Sequence, residues 1–337
     1  MKLIQQSKKG IGVFILLCIM TCSISVTSYA AVLAGISDEN CIVVEDGTVS
    51  FSGDQIVSKT YYQKRKTGGT LEATYLNYGS YSDVAKKEIA AMQDFKKYIL
   101  YYPKDMESTS EKFPVVIFSN GTGVPASKYR AVLERLASWG FIVMGTDEEN
   151  SWNGFSSEMC LRKIAQLNET EVIESWGSNP FYKSVDMDNI GVVGHSQGGV
   201  GVFNAAIENK NGGKIKTIVA ESPTNLQLAS ALDWTYDPSK VCVPTLLLSS
   251  TGNTDENFVV SGEQLTTIYN EIPDNVPKMK LRRSGADHGD MVNAADGYVT
   301  AWLCWQLKGD PSAASAFVGE DAEIQVNPLY QDISYNF

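Results

Sequence analysis

Residues 190–199 read IGVVGHSQGG, and the interpretation of the whole chain starts from this stretch. Its first four residues form an apolar run typical of a buried strand. The pattern Gly-x-Ser-x-Gly follows, centred on Ser196, and a helix-like segment at 200–208 comes next. Glycines two positions before and after the serine allow a sharp strand-to-helix turn, because a bulky Cβ there would clash. The stretch therefore predicts that Ser196 is a nucleophile, although an ordinary glycine-rich turn would also explain the glycines.

The segments on both sides alternate between strand-like and helix-like patterns. Short apolar runs that alternate with amphipathic helices are typical of a mostly parallel sheet with helices on both faces, so the predicted fold class is α/β. Sites in such folds lie at the carboxyl ends of the strands. Strands are predicted at 95–102, 113–118, 141–144, 190–193, 217–220, 244–248 and 278–282, and helices at 128–139, 156–176, 200–208, 261–270 and 294–307.

A serine hydroxyl needs a base to take its proton, and the chain contains two histidines. His195 precedes Ser196 on a tight turn, so its ring is expected to point away from the serine. His288 lies in a glycine-containing loop between the last predicted strand and the last predicted helix. We therefore predict His288 as the general base.

The acid that orients the base is expected between the serine and the histidine in chain order. Asp255 lies in the loop after the strand at 244–248 and is the first choice. Glu256 is an alternative if the loop is shifted by one residue. Glu221, which follows the preceding strand, is a second alternative. Asp287 and Asp290 flank His288 too closely to orient it, so we expect solvent to surround them.

The oxyanion of an acyl-transfer reaction needs main-chain N–H donors. One donor is expected to be the N–H of Gln197, at the start of the helix after the nucleophile. The other is expected in the loop SNGTG (119–123), which follows the strand at 113–118, with Thr122 as the donor. A plain glycine-rich turn is the alternative interpretation of this loop.

The first thirty residues have the features of a secretory signal peptide. A positively charged start is followed by an apolar run too short for a permanent membrane anchor and by a small-residue site that ends at Ala30. We expect a secreted, extracellular protein that is cleaved after Ala30, and the residues around Cys22 disfavour lipidation. Residues 31–70 are then an N-terminal extension, and residues 71–337 are the catalytic domain.

Charge and cysteine content limit the possible partners. Removal of residues 1–30 takes away three lysines and no acidic residue, which changes the formal charge from −11 to −14. Such a surface repels polyanions, so no nucleic-acid partner is expected, and no later stretch is apolar enough to place the protein in a membrane. Two histidines and no Cys-x-x-Cys pair argue against a metal site. The four cysteines of the mature chain, which can form one or two disulfides in an oxidising compartment, are Cys41, Cys160, Cys242 and Cys304.

Several stretches taken together resemble a known group of enzymes. The stretches are YYP (101–103), PVVIFSNGTG (114–123), LASWGFIVMGTD (136–147) and GVVGHSQGG (191–199). They resemble the cutinase-like polyester hydrolases and the wider dienelactone-hydrolase and chlorophyllase-like group of the α/β-hydrolase superfamily, over roughly residues 70–320. The resemblance implies a monomeric carboxylesterase with no cofactor. It assigns the nucleophile, acid and base to Ser196, Asp255 and His288, and the main-chain oxyanion donors to Thr122 and Gln197.

The chain departs from this group at the positions that bind flat polymer units. Such polyester hydrolases carry an aromatic residue where this chain has Thr122, a methionine where it has Gln197, and a tryptophan in the loop that here reads ESPTN (221–225). The aromatic clamp is missing, so efficient polyester cleavage is not expected. The short distance from Glu221 to Cys242 leaves no room for a large cap domain, and an open cleft favours short-chain or exposed acyl esters.

Other functions remain compatible with the same three residues. A lipase, a polyester hydrolase and a polysaccharide deacetylase would all use Ser196, His288 and Asp255, on small-molecule or polymer esters. A protein of a different class, a secreted binding protein that has lost catalysis, would keep the scaffold without the reaction. The presence of a candidate for each of the three roles argues against this last alternative.

Overall fold

The computed structural model describes part of the chain in detail. The described residues are 36–43, 49–53, 65–90, 95–207 and 210–337. The predicted signal peptide, residues 1–30, lies outside these ranges, as does Cys22. Two strands, β1 (Ile36–Val43) and β2 (Val49–Gly53), pair antiparallel within the predicted N-terminal extension.

A nine-stranded sheet runs through the described part of the chain. The remaining strands are β3 (Val84–Ile89), β4 (Tyr98–Pro103), β5 (Phe113–Ser119), β6 (Ile142–Thr146), β7 (Val172–Ile173), β8 (Gly177–Ser178), β9 (Val185–His195), β10 (Ile215–Glu221), β11 (Thr245–Ser250), β12 (Lys278–Arg283) and β13 (Tyr330–Tyr335). The order in the large sheet is β13-β12-β11-β10-β9-β5-β6-β4-β3. The strands from β12 to β6 are mutually parallel, whereas β13, β4 and β3 pair antiparallel. The predicted mostly parallel sheet is confirmed.

Helices cover both faces of this sheet. They are α1 (Thr70–Leu76), α2 (Arg130–Ser138), α3 (Phe155–Glu169), α4 (Gln197–Ile207), α5 (Leu226–Ala231), α6 (Gly262–Glu271), α7 (Met291–Ala294), α8 (Asp296–Lys308), α9 (Pro311–Ala314) and α10 (Glu323–Val326). Helices α1, α2 and α8 supply one apolar core, which includes Leu133 and Trp302. Helices α3, α4 and α6 supply the core on the other face, which includes Phe203 and Ile268. Between β10 and β11 the chain forms α5 and one short turn of 3₁₀ helix, so the predicted absence of a large cap domain is confirmed.

Burial on both faces explains why the central strands are continuously apolar in sequence. In β11, Leu246 and Leu248 belong to one core, and Leu247 between them belongs to the other. All three side chains are fully buried. Successive residues of a strand point to opposite faces, so a strand with helices on both sides needs apolar residues at every position.

Several elements differ from the sequence predictions. The helix predicted at 156–176 ends at Glu169, and β7 and β8 form a small antiparallel hairpin after it. Thr170, the residue that ends the helix, has an extended backbone, and the β-branched Val172 and Ile173 follow it. The antiparallel strands β3 and β13 were not predicted, because edge strands are partly exposed and polar and lack the apolar runs of the central strands.

Three cysteines carry free thiols: Cys160, Cys242 and Cys304. Cys160 on α3 and Cys304 on α8 are buried in the cores on opposite faces of the sheet, so the sheet separates them. No disulfide joins these three residues, and a pairing of Cys41 lies outside what the structure describes of side chains. Within the described ranges, no helix is both long enough and apolar enough to cross a bilayer.

The turn between β9 and α4 has no space for additional side chains. A Cβ on Gly198 would lie 1.9 Å from the carbonyl oxygen of Ser119, and a Cβ on Gly194 would lie 2.2 Å from the carbonyl oxygen of Gly198. These contacts are with main-chain atoms, which cannot rotate away as a flexible side chain can. Both glycines of the Gly-x-Ser-x-Gly pattern are therefore required, because other parts of the main chain lie too close to them for a side chain to fit.

Replacement of Gly198 by alanine is therefore expected to destabilise the protein by roughly 1–3 kcal/mol or more, because the new methyl group overlaps a fixed carbonyl. Gly213→Ala is the matched control, since a Cβ there meets no atom within 4 Å. Urea unfolding followed by circular dichroism measures both variants. Equal unfolding midpoints for Gly198→Ala and wild type would contradict the crowded turn.

Candidate active site

Ser196 lies on a strained turn at the carboxyl end of β9. Its φ of +59° is in the left-handed region, which non-glycine residues seldom adopt. The main-chain N–H of Ser196 donates to the carbonyl oxygen of Glu221 at 2.9 Å, and its own carbonyl accepts from the N–H of Gly199 at 2.9 Å. Helix α4 begins at the next residue, Gln197. The strand–turn–helix context expected for Ser196 is present.

The three residues predicted to act together form one hydrogen-bonded chain. The Oγ of Ser196 lies 2.9 Å from Nε2 of His288. The Nδ1 of His288 lies 2.7 Å from Oδ1 of Asp255. The three side chains follow β9, β12 and β11, whose carboxyl ends meet at one edge of the sheet. With Nδ1–H donating to the carboxylate, Nε2 is left as an acceptor for the serine hydroxyl proton.

Asp255 is fully buried and is held by groups that the sequence did not identify. Its Oδ2 accepts from Ser222 Oγ at 2.6 Å, from Ser250 Oγ at 2.6 Å and from the Ser250 N–H at 2.8 Å. Burial acts to raise the pKa of Asp255, but attraction to His288 and these hydrogen bonds outweigh it, so the pKa lies below its ordinary value. The carboxylate is therefore ionised at neutral pH. Ser222 and Ser250 lie at the carboxyl ends of β10 and β11. This position is the signal in the sequence that could have identified them as partners of Asp255.

Asp287 joins the loop of the acid to the loop of the base, so the expectation that it is merely solvated is wrong. Its carboxylate accepts from the Thr254 N–H at 2.9 Å, from Thr254 Oγ1 at 2.8 Å and from the His288 N–H at 2.8 Å. Asp290 supports the same turn, because its Oδ2 accepts from the Asp287 N–H at 2.9 Å. The two loops follow adjacent parallel strands and therefore converge, which the linear sequence does not reveal.

His195 supports the main chain of the base. Its Nε2 lies 2.8 Å from the carbonyl oxygen of His288, and because a carbonyl can only accept, Nε2 carries the proton. Burial, and then repulsion by His288, lower the pKa of His195 to about 3, so the ring is neutral in the folded protein. From the sequence, the ring of His195 is predicted to point away from Ser196, and its contact with His288 is not predicted.

The two alternative acids have other surroundings. Glu256 is about half exposed and forms an ion pair with Arg282. Glu221 is buried, and burial, followed by repulsion from Asp296, raises its pKa well above the ordinary value, although Arg135 acts in the opposite direction. Asp255 is the carboxylate that contacts His288, whereas burial disfavours the ionised form of Glu221.

The predicted oxyanion donors belong to neighbouring loops. Loop 119–123 follows β5, which lies beside β9 in the sheet. The Nε2 of Gln197 donates to Oγ1 of Thr122 at 3.3 Å, so the two residues are in direct contact. In the part of the chain that the structure covers, the main-chain N–H groups of Thr122 and Gln197 donate to no protein acceptor. Two N–H donors are thus available beside Ser196.

No group of three His, Cys, Asp or Glu side chains among the described residues is arranged to hold a metal ion. The arrangement that is present is a serine hydroxyl, a histidine imidazole and a buried carboxylate at the carboxyl edge of a parallel sheet. This combination of fold and site defines an α/β-hydrolase.

The chain belongs to the PETase family, described as PET hydrolase-like, which it matches over residues 63–323. It is 26% identical to a bis(hydroxyethyl) terephthalate hydrolase of Streptomyces coelicolor over 261 residues, which cover 76% of this chain and 75% of that protein. It is 27% identical to cutinase 2 of Thermobifida cellulosilytica over 209 residues, or 60% of this chain and 71% of that protein. It is 25% identical to cutinase est2 of Thermobifida alba over 208 residues, which cover 60% of this chain and 62% of that cutinase, so the match spans about three fifths of the relative. The predicted fold class and family group are confirmed.

The raised pKa of Glu221 predicts a pH-dependent gain in stability for Glu221→Gln. Above the ordinary pKa of 4.5, the unfolded chain loses the Glu221 proton at a lower pH than the folded protein does, so rising pH favours unfolding. The penalty grows by about 1.4 kcal/mol per pH unit at most. Glutamine cannot ionise, so the variant is expected to match wild type near pH 4 and to have the higher melting temperature at pH 7–8.

Differential scanning fluorimetry between pH 4 and pH 8 measures this difference. Glu271→Gln, at the exposed end of α6, is the control and should give a pH-independent offset from wild type. A constant difference between Glu221→Gln and wild type across the pH range would exclude a raised pKa for Glu221.

Proposed function

We propose that this protein is a secreted serine hydrolase that cleaves carboxylic esters through an acyl-enzyme intermediate. The observation that supports the proposal most strongly is the continuous hydrogen-bonded chain from Ser196 through His288 to Asp255. A serine with a base in hydrogen-bond contact, and a base oriented by a buried carboxylate, is the arrangement that activates a hydroxyl nucleophile. Membership of the PET hydrolase-like family supports the same reaction class.

In the acylation step, Ser196 Oγ attacks the ester carbonyl carbon while Nε2 of His288 takes the hydroxyl proton. The carbonyl oxygen becomes an oxyanion, and the main-chain N–H groups of Thr122 and Gln197 stabilise it. Collapse of the tetrahedral intermediate breaks the ester C–O bond, and His288 returns its proton to the leaving alcohol. Water then attacks the acyl-enzyme with His288 again as base, which releases the carboxylic acid and restores Ser196.

Asp255 acts through His288. Its ionised carboxylate accepts from Nδ1–H, which keeps the imidazole in the tautomer whose Nε2 can accept a proton. Once His288 is protonated, the same negative charge stabilises the imidazolium. The hydrogen bonds from Ser222 and Ser250 hold the other carboxylate oxygen, so the acid is already oriented before substrate binds.

The proposed substrates are short-chain or exposed acyl esters, either small molecules or accessible groups on a polymer. The short connection between β10 and β11 leaves the cleft without a large cap, and the tryptophan, methionine and aromatic positions of polyester hydrolases are occupied by other residues. Polyester cleavage is the second candidate, because relatives of the chain include cutinases and a bis(hydroxyethyl) terephthalate hydrolase. We further propose that the protein acts as a monomer, without a cofactor, after export.

Asp255→Asn is expected to lower kcat on p-nitrophenyl butyrate by about 10³–10⁴-fold, because the amide favours the wrong tautomer of His288. Glu256→Gln is the matched control on the adjacent residue and should keep kcat within about threefold of wild type, because Glu256 pairs with Arg282 and not with the base. Steady-state kinetics of the two variants test the assignment. An equal loss in both would remove Asp255 from its proposed role.

Labelling by a fluorophosphonate probe separates an enzyme from a binding protein on the same scaffold. Wild type is expected to be labelled covalently at Ser196, and Ser196→Ala is expected to lose all labelling. Intact-mass spectrometry detects the adduct. Absence of labelling in a folded wild type would contradict the hydrolase proposal.

A chain-length series of p-nitrophenyl esters, compared with amorphous poly(ethylene terephthalate) film, separates the two candidate substrate classes. Acetate and butyrate are expected to give values of kcat/KM at least about tenfold above that of the dodecanoate, and soluble products from the film should stay near the Ser196→Ala background. Film degradation well above this background would favour the polyester candidate.

A further inference from the structure

The orientation of the Gln197 side-chain amide is determined by its neighbours. Its Oε1 accepts from the main-chain N–H of Ser151 at 2.8 Å. A main-chain N–H can only donate, so the oxygen of the amide must face Ser151 and the NH₂ group must face the other way. The side chain is 2% exposed, so neighbouring groups rather than solvent hold this orientation.

The NH₂ group of the Gln197 amide determines the direction in which the hydroxyl proton of Thr122 points. Nε2 of Gln197 lies 3.3 Å from Oγ1 of Thr122. Because an amide nitrogen only donates, Oγ1 must accept, and the hydroxyl proton of Thr122 points away from Gln197. In the described part of the molecule this hydroxyl donates to no protein acceptor, and Thr122 is exposed. The proton is free to be donated to a ligand.

The loop that carries Thr122 is held on both sides. The Oγ of Ser151 donates to the carbonyl oxygen of Asn120 at 2.5 Å. The main-chain N–H of Gly121 donates to the Tyr129 hydroxyl at 3.2 Å, and Tyr129 is buried. The position of the Thr122 hydroxyl is therefore set before any substrate binds, as is required of a group that stabilises a transition state.

We propose that the Thr122 hydroxyl is a third oxyanion donor, which acts with the main-chain N–H groups of Thr122 and Gln197. The Gln197 side chain is then a positioning residue, because it orients this hydroxyl and does not touch the reacting atoms. The inference rests on the proposed esterase function and deepens it. It assigns a function to the two side chains that replace the aromatic residue and the methionine of polyester hydrolases.

The test compares variants that keep the main-chain N–H groups and change the hydroxyl. Thr122→Val keeps the shape and removes the hydroxyl, Thr122→Ala is a second hydroxyl-free variant, and Thr122→Ser restores the hydroxyl. On p-nitrophenyl butyrate, the valine and alanine variants are expected to lose about 10–10³-fold in kcat, with KM within about twofold of wild type. The serine variant is expected to stay within about fivefold of wild-type kcat.

Coupling between the two side chains tests the positioning role of Gln197. Gln197→Met removes the amide, so loss of the Thr122 hydroxyl should reduce kcat by a smaller factor in that background than in wild type. Melting temperatures close to that of wild type show that each variant is folded. Fluorophosphonate inactivation rates should fall in parallel with kcat, since the phosphoryl oxygen occupies the same donors.

The outcomes separate this inference from the proposed function. An inactive, unlabelled wild type would overturn the esterase function itself. An active wild type with unchanged kcat in Thr122→Val and Thr122→Ala would overturn only the third donor. Equal losses in the valine and serine variants, or a change confined to KM, would assign Thr122 a packing or binding role and also overturn the inference.

Discussion

The backbone of Ser196, in the left-handed region at φ +59°, is the constraint on which the rest of the site depends. A non-glycine residue adopts this conformation only where the surroundings enforce it. Here the N–H of Ser196 is held by the carbonyl of Glu221 on β10, and the main chain of Ser119 on β5 approaches the turn so closely that Gly198 cannot have a side chain. Main-chain contacts from both neighbouring strands thus define the turn that carries Ser196.

The pKa values of two buried carboxyl groups near this turn are shifted in opposite directions, and the partners of each group explain the difference. Asp255 receives hydrogen bonds from two serines and from His288, which stabilise its charge. Glu221 lies near Asp296, whose charge opposes ionisation, and one of its carboxyl oxygens has no hydrogen-bond partner among the described residues. The surroundings thus favour the ionised form of Asp255, which contacts His288, and disfavour the ionised form of Glu221 in the core.

Ser196 can be predicted from the sequence because a glycine pattern between a strand and a helix marks it. His288 can be predicted because the chain has no second available imidazole. Asp255 is predicted only by its position after a strand, with Glu221 and Glu256 as alternatives, because a carboxylate in a loop has no signature of its own. The contacts of Asp287 and Ser222 were not predicted, since each joins loops that are distant along the chain. The contact of Ser250 with Asp255 spans only five residues, but it depends on how the loop after β11 turns back on itself. The edge strands β3 and β13 were missed because partly exposed strands lack a continuous apolar run.

The sequence by itself determined the α/β class, the parallel character of the sheet and the turn that carries Ser196, because apolar periodicity and glycine spacing are local properties of the chain. Only the tertiary structure decided which of the candidate carboxyl groups contacts His288, which buried carboxyl group has a raised pKa and which way the Gln197 amide faces. These properties depend on distances between groups brought together by adjacent strands, and on burial, which changes a pKa or fixes a proton only after the chain has folded.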